Sequence, residues 1–198
     1  TAVGKTMFSL ELAKNLNAQV TGITISPNQV EIAKELALKS NLNIDFQVMD
    51  AENISLNKTF DIVWSVEALS HLNDQKTFFK KASELLPTGG KFAIIDWFSK
   101  DKLTSEEQEK YIDPIKKGML VPNMKTMSDY KSFIEDAGFE IIEYQDISSN
   151  VSKTWDICLD IIKNPSLWKL ALYHGKEFVE FLKAFTAMRA GFSSKTFI

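Results

Sequence analysis

The apolar positions change their spacing along the chain in a regular rhythm, and that rhythm predicts the architecture. TAVGKTMFSLELAKNLN (1–17) reads as a turn followed by a helix with Phe8, Leu12 and Leu16 on one face. AQVTGITI (18–25) is rich in β-branched residues and predicts a strand. A helix follows to about Ser40, with Ser26 as its N-cap, Pro27 at the first position, and Ile32, Ala33 and Leu36 facing inward. NIDFQVMD (43–50) predicts another strand. Phe60–Ser65 and Lys91–Trp97 are apolar runs without alternation, the pattern of strands covered on both faces. Between them a helix opens near Asp74, buries Phe78, Phe79, Ala82 and Leu85, and ends at Pro87 and Gly89-Gly90. Strand, helix and strand within about 40 residues is a βαβ unit, and its repetition predicts an α/β fold with a doubly wound, mostly parallel sheet.

After Phe98 the spacing turns helical. A charged helix is expected over 104–119, with a capping box from Thr104 to Glu107, and a shorter one over 127–139, closed by Gly138. FEIIEYQDI (139–147) alternates and predicts a further strand, and the last fifty residues form a helical elaboration. Without a linker or repeat, the chain reads as a single domain. Residues 1–98 are its binding core, and 99–198 supply substrate-side helices and remaining strands.

Composition narrows the function classes. A net charge of −3 gives no global electrostatic case for nucleic acid. The single cysteine, Cys158, excludes an intramolecular disulfide, and with only two histidines a zinc centre is not expected. No run approaches the roughly 18 apolar residues of a membrane span, and no signal peptide opens the chain, so a cytoplasmic location is expected. The chain opens without Met and closes on SSKTFI, which resembles the start of a strand, so both ends read as cut.

In parallel sheets, ligands bind beyond the carboxyl ends of the strands. Three such ends are polar: Thr24-Ile25-Ser26 with Gln29 one turn on, Asp50-Ala51-Glu52, and Ser65-Val66-Glu67. Ribose hydroxyls need acceptors and an adenine amino group needs a carboxylate or carbonyl, so the set suits an adenosine-like ligand. These residue types also serve as turn formers and helix caps, and spacing alone leaves both readings open. The aromatic series Trp155, Trp168, Tyr173, Phe178, Phe181 and Phe185 reads first as core and second as the floor of an apolar pocket.

VTGITISPNQ, DFQVMDAEN, FDIVWSVEALSHL and LLPTGGKFAIIDW resemble, in order, the successive motifs of class I S-adenosylmethionine-dependent methyltransferases. The resemblance covers roughly residues 4–147 and is nearest to the tocopherol, sterol and related small-molecule subgroup. It implies a Rossmann-like fold, S-adenosyl-L-methionine as cofactor, and a small, apolar acceptor: a ring carbon or hydroxyl of a tocopherol-, quinol- or sterol-like compound, or an amine. It assigns Thr24, Ile25, Ser26 and Gln29 to the ribose side, and Asp50, Ala51 and Glu52 to the adenine side. Ser65 and Val66 would line the methionine moiety, and Glu67 and His71 would face the acceptor. Four residues apart, Glu67 and His71 would share one face of a helical turn, which suits His71 as general base; a histidine that caps or packs in a helix is the other reading. Relatives that methylate amines often carry Glu just before this histidine, so Ser70 points toward a neutral acceptor. The family's first strand and most of its glycine-rich loop have no counterpart here, where Gly4 stands alone in AVGKTM, and Thr88 replaces the proline of the usual turn. A sheet without that strand leaves two strand edges unpaired.

Two other readings remain. Gly4-Lys5-Thr6 matches the end of a phosphate-binding loop, with Asp96 after an apolar strand as a Mg²⁺ ligand. Alternatively, the chain is a non-catalytic fragment of the methyltransferase fold. The oligomeric state is left open.

Overall fold

The computed structural model describes residues 6–197. The chain divides into two compact units, one ending at Asp96 and the other beginning at Trp97.

The first unit alternates helix and strand as the spacing predicts: α1 (Thr6–Leu16), β1 (Thr21–Thr24), α2 (Pro27–Lys39), β2 (Asp45–Val48), β3 (Ile62–Val66), α3 (Gln75–Glu84) and β4 (Lys91–Ile95). Each strand is shorter than its apolar run. β1 pairs in parallel with β2, Thr21 opposite Asp45 and Thr24 opposite Val48, and β3 pairs in parallel with β4, Ile62 opposite Lys91 and Val66 opposite Ile95. The result is two two-stranded sheets: among the described residues no strand joins β1 to β3. Ile62 is therefore 56% and Ile95 38% exposed, not covered on both faces as their apolar runs imply.

Local signals placed the helices well. Ser26 caps α2, its hydroxyl accepting the Gln29 N–H, and Pro27 follows at the first position, where its missing N–H is no loss. Val30, Ala33 and Ala37 of α2 pack with Leu10, Ile44 and Phe46 into one core. Ile32 and Leu16, expected inside, are exposed; the buried stripe of α2 runs through Val30, Ala33 and Ala37, and α1 buries Ser9 and Leu10. On the other pair, Phe78 and Phe79 of α3 set their rings 5.9 and 5.4 Å from that of Phe92 on β4.

The second unit is helical: α4 (Ser105–Glu107), α5 (Asp113–Gly118), α6 (Met127–Asp136), α7 (Ser148–Val151), α8 (Lys153–Ile162), α9 (Pro165–His174) and α10 (Lys176–Ser193). The expected capping box of Thr104 with Glu107 forms, and Thr126 makes a second one with Asp129. Between α4 and α5 the helix widens into a π turn over Gln108–Ile112. Pro114 lies just beyond, and a ring without an N–H cannot close the usual i→i−4 bond there. Residues 139–147 are irregular, not the expected strand. Alternation gives a segment two faces, but a strand also needs a partner to bond to. None of the described strands pairs with this segment, and Ile142 and Tyr144 stay exposed.

Trp155, Ile112, Ile115, Ala187, Met188 and Phe197 form the second core. The aromatic series thus splits. Trp155 is core, Phe185 borders it, and Phe178 and Phe181 are half-buried, whereas Trp168 and Tyr173 are 49% and 85% exposed. At the chain's end Phe197 makes a single antiparallel bridge with Ser99.

Candidate active site

The predicted polar residues do lie at the carboxyl ends of the strands, in two groups. The first sits on the β1–β2 pair. The Thr24 hydroxyl donates to Gln29 Oε1 over 2.7 Å and accepts the Ser26 N–H over 3.3 Å. One residue beyond β2 the ladder continues, with Met49 N–H donating to the Thr24 carbonyl over 2.8 Å, which sets Asp50 beside this turn. Asp50 caps the 3₁₀ turn Ala51–Asn53: its Oδ1 accepts the Glu52 N–H and its Oδ2 the Asn53 amide, both over 2.9 Å. Ile25 is 74% exposed beside Thr24, an apolar side chain at the lip of the group.

The second group sits on the β3–β4 pair. Ser65 and Val66 are buried in the last turn of the ladder, and Glu67 leaves the strand in the left-handed region, at φ 46°. A 3₁₀ turn, Leu69–His71, follows. Glu67 therefore stands outside any helix, and the four-residue spacing to His71 is not one helical turn, as the sequence had implied. The left-handed residue at position 67 turns the chain sharply before helical bonding begins.

One side chain links the groups. Glu52 Oε1 accepts the N–H groups of Asn73 and Asp74 over 2.5 and 2.9 Å, where α3 begins. Asp74 is the N-cap of α3. The Thr77 hydroxyl, then the Thr77 N–H, hold its carboxyl below the ordinary carboxylate value. Glu52 thus bonds the protein's own backbone at this end of the sheet pairs.

Sequence reasoning gave Ser70 and Asp96 other roles, and it missed Gln75 and the burial of all three behind the second group. Asp96, at the end of β4, accepts the Ser70 N–H on Oδ2 over 3.0 Å, and Gln75 Nε2 donates to the Leu69 carbonyl over 2.8 Å. Ser70, Gln75 and Asp96 are all buried. The Ser70 hydroxyl therefore faces the interior, not an acceptor. The available signal was polar residues at positions where the apolar pattern calls for core. Gly4 and Lys5 lie outside the described residues.

Residues 1–94 match the profile of a family described as "Methyltransferase domain". Over these residues the chain is similar to a methyltransferase domain. The phosphate-loop reading of Gly4-Lys5-Thr6 has no support, since the same stretch falls within this domain. Over 166 residues the chain is 30% identical to the chloroplastic tocopherol O-methyltransferase of Arabidopsis thaliana, a match covering 80% of this chain and 47% of that enzyme. The chain spans about half the length of the relatives it matches. Among solved structures, it is similar to the cyclopropane synthase MmaA2 of Mycobacterium tuberculosis, with TM-score 0.80, 18% identity, and 99% of this chain and 72% of that one covered. It is also similar to phosphoethanolamine N-methyltransferase 2 of Haemonchus contortus bound to S-adenosyl-L-methionine, with TM-score 0.75, 18% identity, and 99% and 44% covered. At such identities the likeness is one of fold, and it establishes the α/β methyltransferase-type fold for this chain. No described helix is long and apolar enough to cross a membrane.

Proposed function

We propose that the protein transfers a methyl group from S-adenosyl-L-methionine to a small, apolar acceptor: a ring carbon or hydroxyl of a tocopherol-, quinol- or sterol-like compound, or an amine. The observation that carries this reading is the gathering of the Thr24–Gln29 pair and Asp50 at adjoining strand ends, inside a matched methyltransferase domain. The donor set fits the cofactor. Thr24, Ile25, Ser26 and Gln29 would take the ribose, Asp50 with Ala51 and Glu52 the adenine, and Ser65 and Val66 the methionine moiety; Gly4, the one glycine of AVGKTM, is assigned to cofactor binding with them. The cofactor, when bound, supplies an electrophilic methyl group.

The protein's part is then alignment and one proton. Holding nucleophile and methyl in line supplies roughly 7–11 kcal/mol of the barrier. His71 takes the acceptor's proton on an imidazole nitrogen, and Glu67 faces the acceptor from the same turn. We assign the acceptor side to the helices of residues 99–198, and the protein to the cytoplasm, in keeping with its lone cysteine.

A second reading, a methyltransferase fold that binds no cofactor, is favoured by the separation of the strands into two two-stranded sheets. Calorimetry with S-adenosyl-L-methionine separates the two. Micromolar binding that is lost in Asp50→Ala supports the proposal, which a screen of prenylated phenols, sterols and amines then extends. A folded chain without binding supports the second reading.

A further inference from the structure

We infer that Asp96 is a positioning residue, which fixes the turn carrying Glu67 and His71 to the end of β4. The inference rests on the proposed role of that turn in methyl transfer.

Ile95, the last residue of β4, and Asp96, which follows it, hold the turn at two points. The Ile95 carbonyl accepts the Glu67 N–H over 2.7 Å, and Asp96 Oδ2 accepts the Ser70 N–H over 3.0 Å. From the far side Gln75 Nε2 holds the Leu69 carbonyl. The turn does not rest in a conformation of its own choosing. Glu67 occupies the left-handed region, which disfavours a side chain with a Cβ. Ser70 Oγ and Gln75 Oε1 are buried without hydrogen-bond partners, which costs free energy. A carboxyl group at 9% exposure is costly as well unless it is hydrogen-bonded, as this one is to the Ser70 N–H. Such costs gather where a geometry is imposed for use. The turn carries two ionisable side chains at a strand end, and in-line transfer is sensitive to displacements of an ångström.

The test is amide hydrogen exchange by NMR on the whole chain, without cofactor, in wild type, Asp96→Ala and Asp96→Asn. In Asp96→Ala the Ser70 amide is expected to exchange about tenfold faster or more. Leu69 and Glu67 should follow, while Val30 and Ala33 of α2 keep wild-type rates. In Asp96→Asn, whose carboxamide oxygen accepts as a neutral group, the Ser70 amide should exchange faster than in wild type and more slowly than in Asp96→Ala. Unchanged exchange at Ser70 in Asp96→Ala overturns the inference. If Asp96→Ala fails to fold, Asp96→Asn decides: faster exchange confined to the turn supports the clamp, and wild-type or uniformly raised rates overturn it. With an acceptor in hand, kcat should fall about 100-fold in Asp96→Ala with KM for S-adenosylmethionine unchanged. Exchange needs neither cofactor nor acceptor, so its failure leaves the methyl-transfer reading standing. Failure of calorimetric binding in wild type removes that reading and leaves the clamp.

Discussion

The Thr24 hydroxyl donates to Gln29 Oε1 over 2.7 Å while accepting the Ser26 N–H, so one hydroxyl ties the end of β1 to the first turn of α2. With its oxygen engaged, the Gln29 amide presents its Nε2 as a donor. The turn therefore carries a neutral donor and acceptor, without a carboxylate. Replacing Thr24 with Val keeps the shape and removes both bonds, each worth about 1 kcal/mol. Affinity for S-adenosylmethionine is expected to fall about fivefold to thirtyfold by calorimetry. Unchanged affinity would remove this turn from the ribose site.

Glu52 makes a different prediction. Its Oε1 accepts two N–H groups at the start of α3 and so ties the β2 turn to that helix. The groups are exposed, so water replaces the lost bonds in Glu52→Ala, and the loss of stability should be about 1–2 kcal/mol. For a chain of this length that lowers the melting midpoint by roughly 2–8 °C. Scanning calorimetry measures it. Glu52→Gln should recover most of the loss because its carbonyl oxygen still accepts.

These two sites differ in how far the sequence disclosed them. Ser26, Pro27, Asp74 and the Thr104–Glu107 capping box were legible because a cap is a contact between residues two or three apart, written side by side. The strand ends were legible to within one or two residues, since the ladders stop close to the ends of the apolar runs. What the sequence concealed was every feature that depends on a distant partner. Residues 139–147 alternate like a strand but have no described neighbour to pair with, and Asp96 reaches back 26 positions to the Ser70 N–H. Glu67 and His71 looked like one helical face because their spacing is helical. Only the left-handed backbone at Glu67 shows that the helix starts later.

Glu107 carries the clearest dependence on pH. The Lys100 ammonium beside it, and next the Thr104 N–H, pull its carboxyl down from 4.5 to about 2. A carboxyl depressed on folding contributes stability above its unfolded pKa and loses it as pH falls through the folded one. The difference in melting midpoint between wild type and Glu107→Gln should be full at pH 7. It should shrink steadily between about 4.5 and 2 and vanish below. A difference that persists at pH 2 would place the contribution of Glu107 in its neutral hydrogen bonds with Thr104.

Gly118 closes α5 where that helix passes close to α10, and the contact leaves no room for a side chain. A Cβ at this position would stand 2.4 Å from the Glu180 carbonyl oxygen and 2.5 Å from Ala184 Cβ. Neither can swing away: one is helix backbone and the other is a buried methyl, Ala184 being fully inaccessible. Gly118→Ala must therefore push two helices apart at a closely packed crossing. Overpacking of this kind costs about 1–3 kcal/mol, against a gain of at most about 1 kcal/mol from the better helix propensity of alanine. The clash wins. Urea denaturation of Gly118→Ala should show a lower midpoint with an unchanged slope. Glu180→Ala should not rescue it, because the obstructing atom belongs to the main chain. Equal or greater stability in Gly118→Ala would mean that α5 and α10 can separate freely.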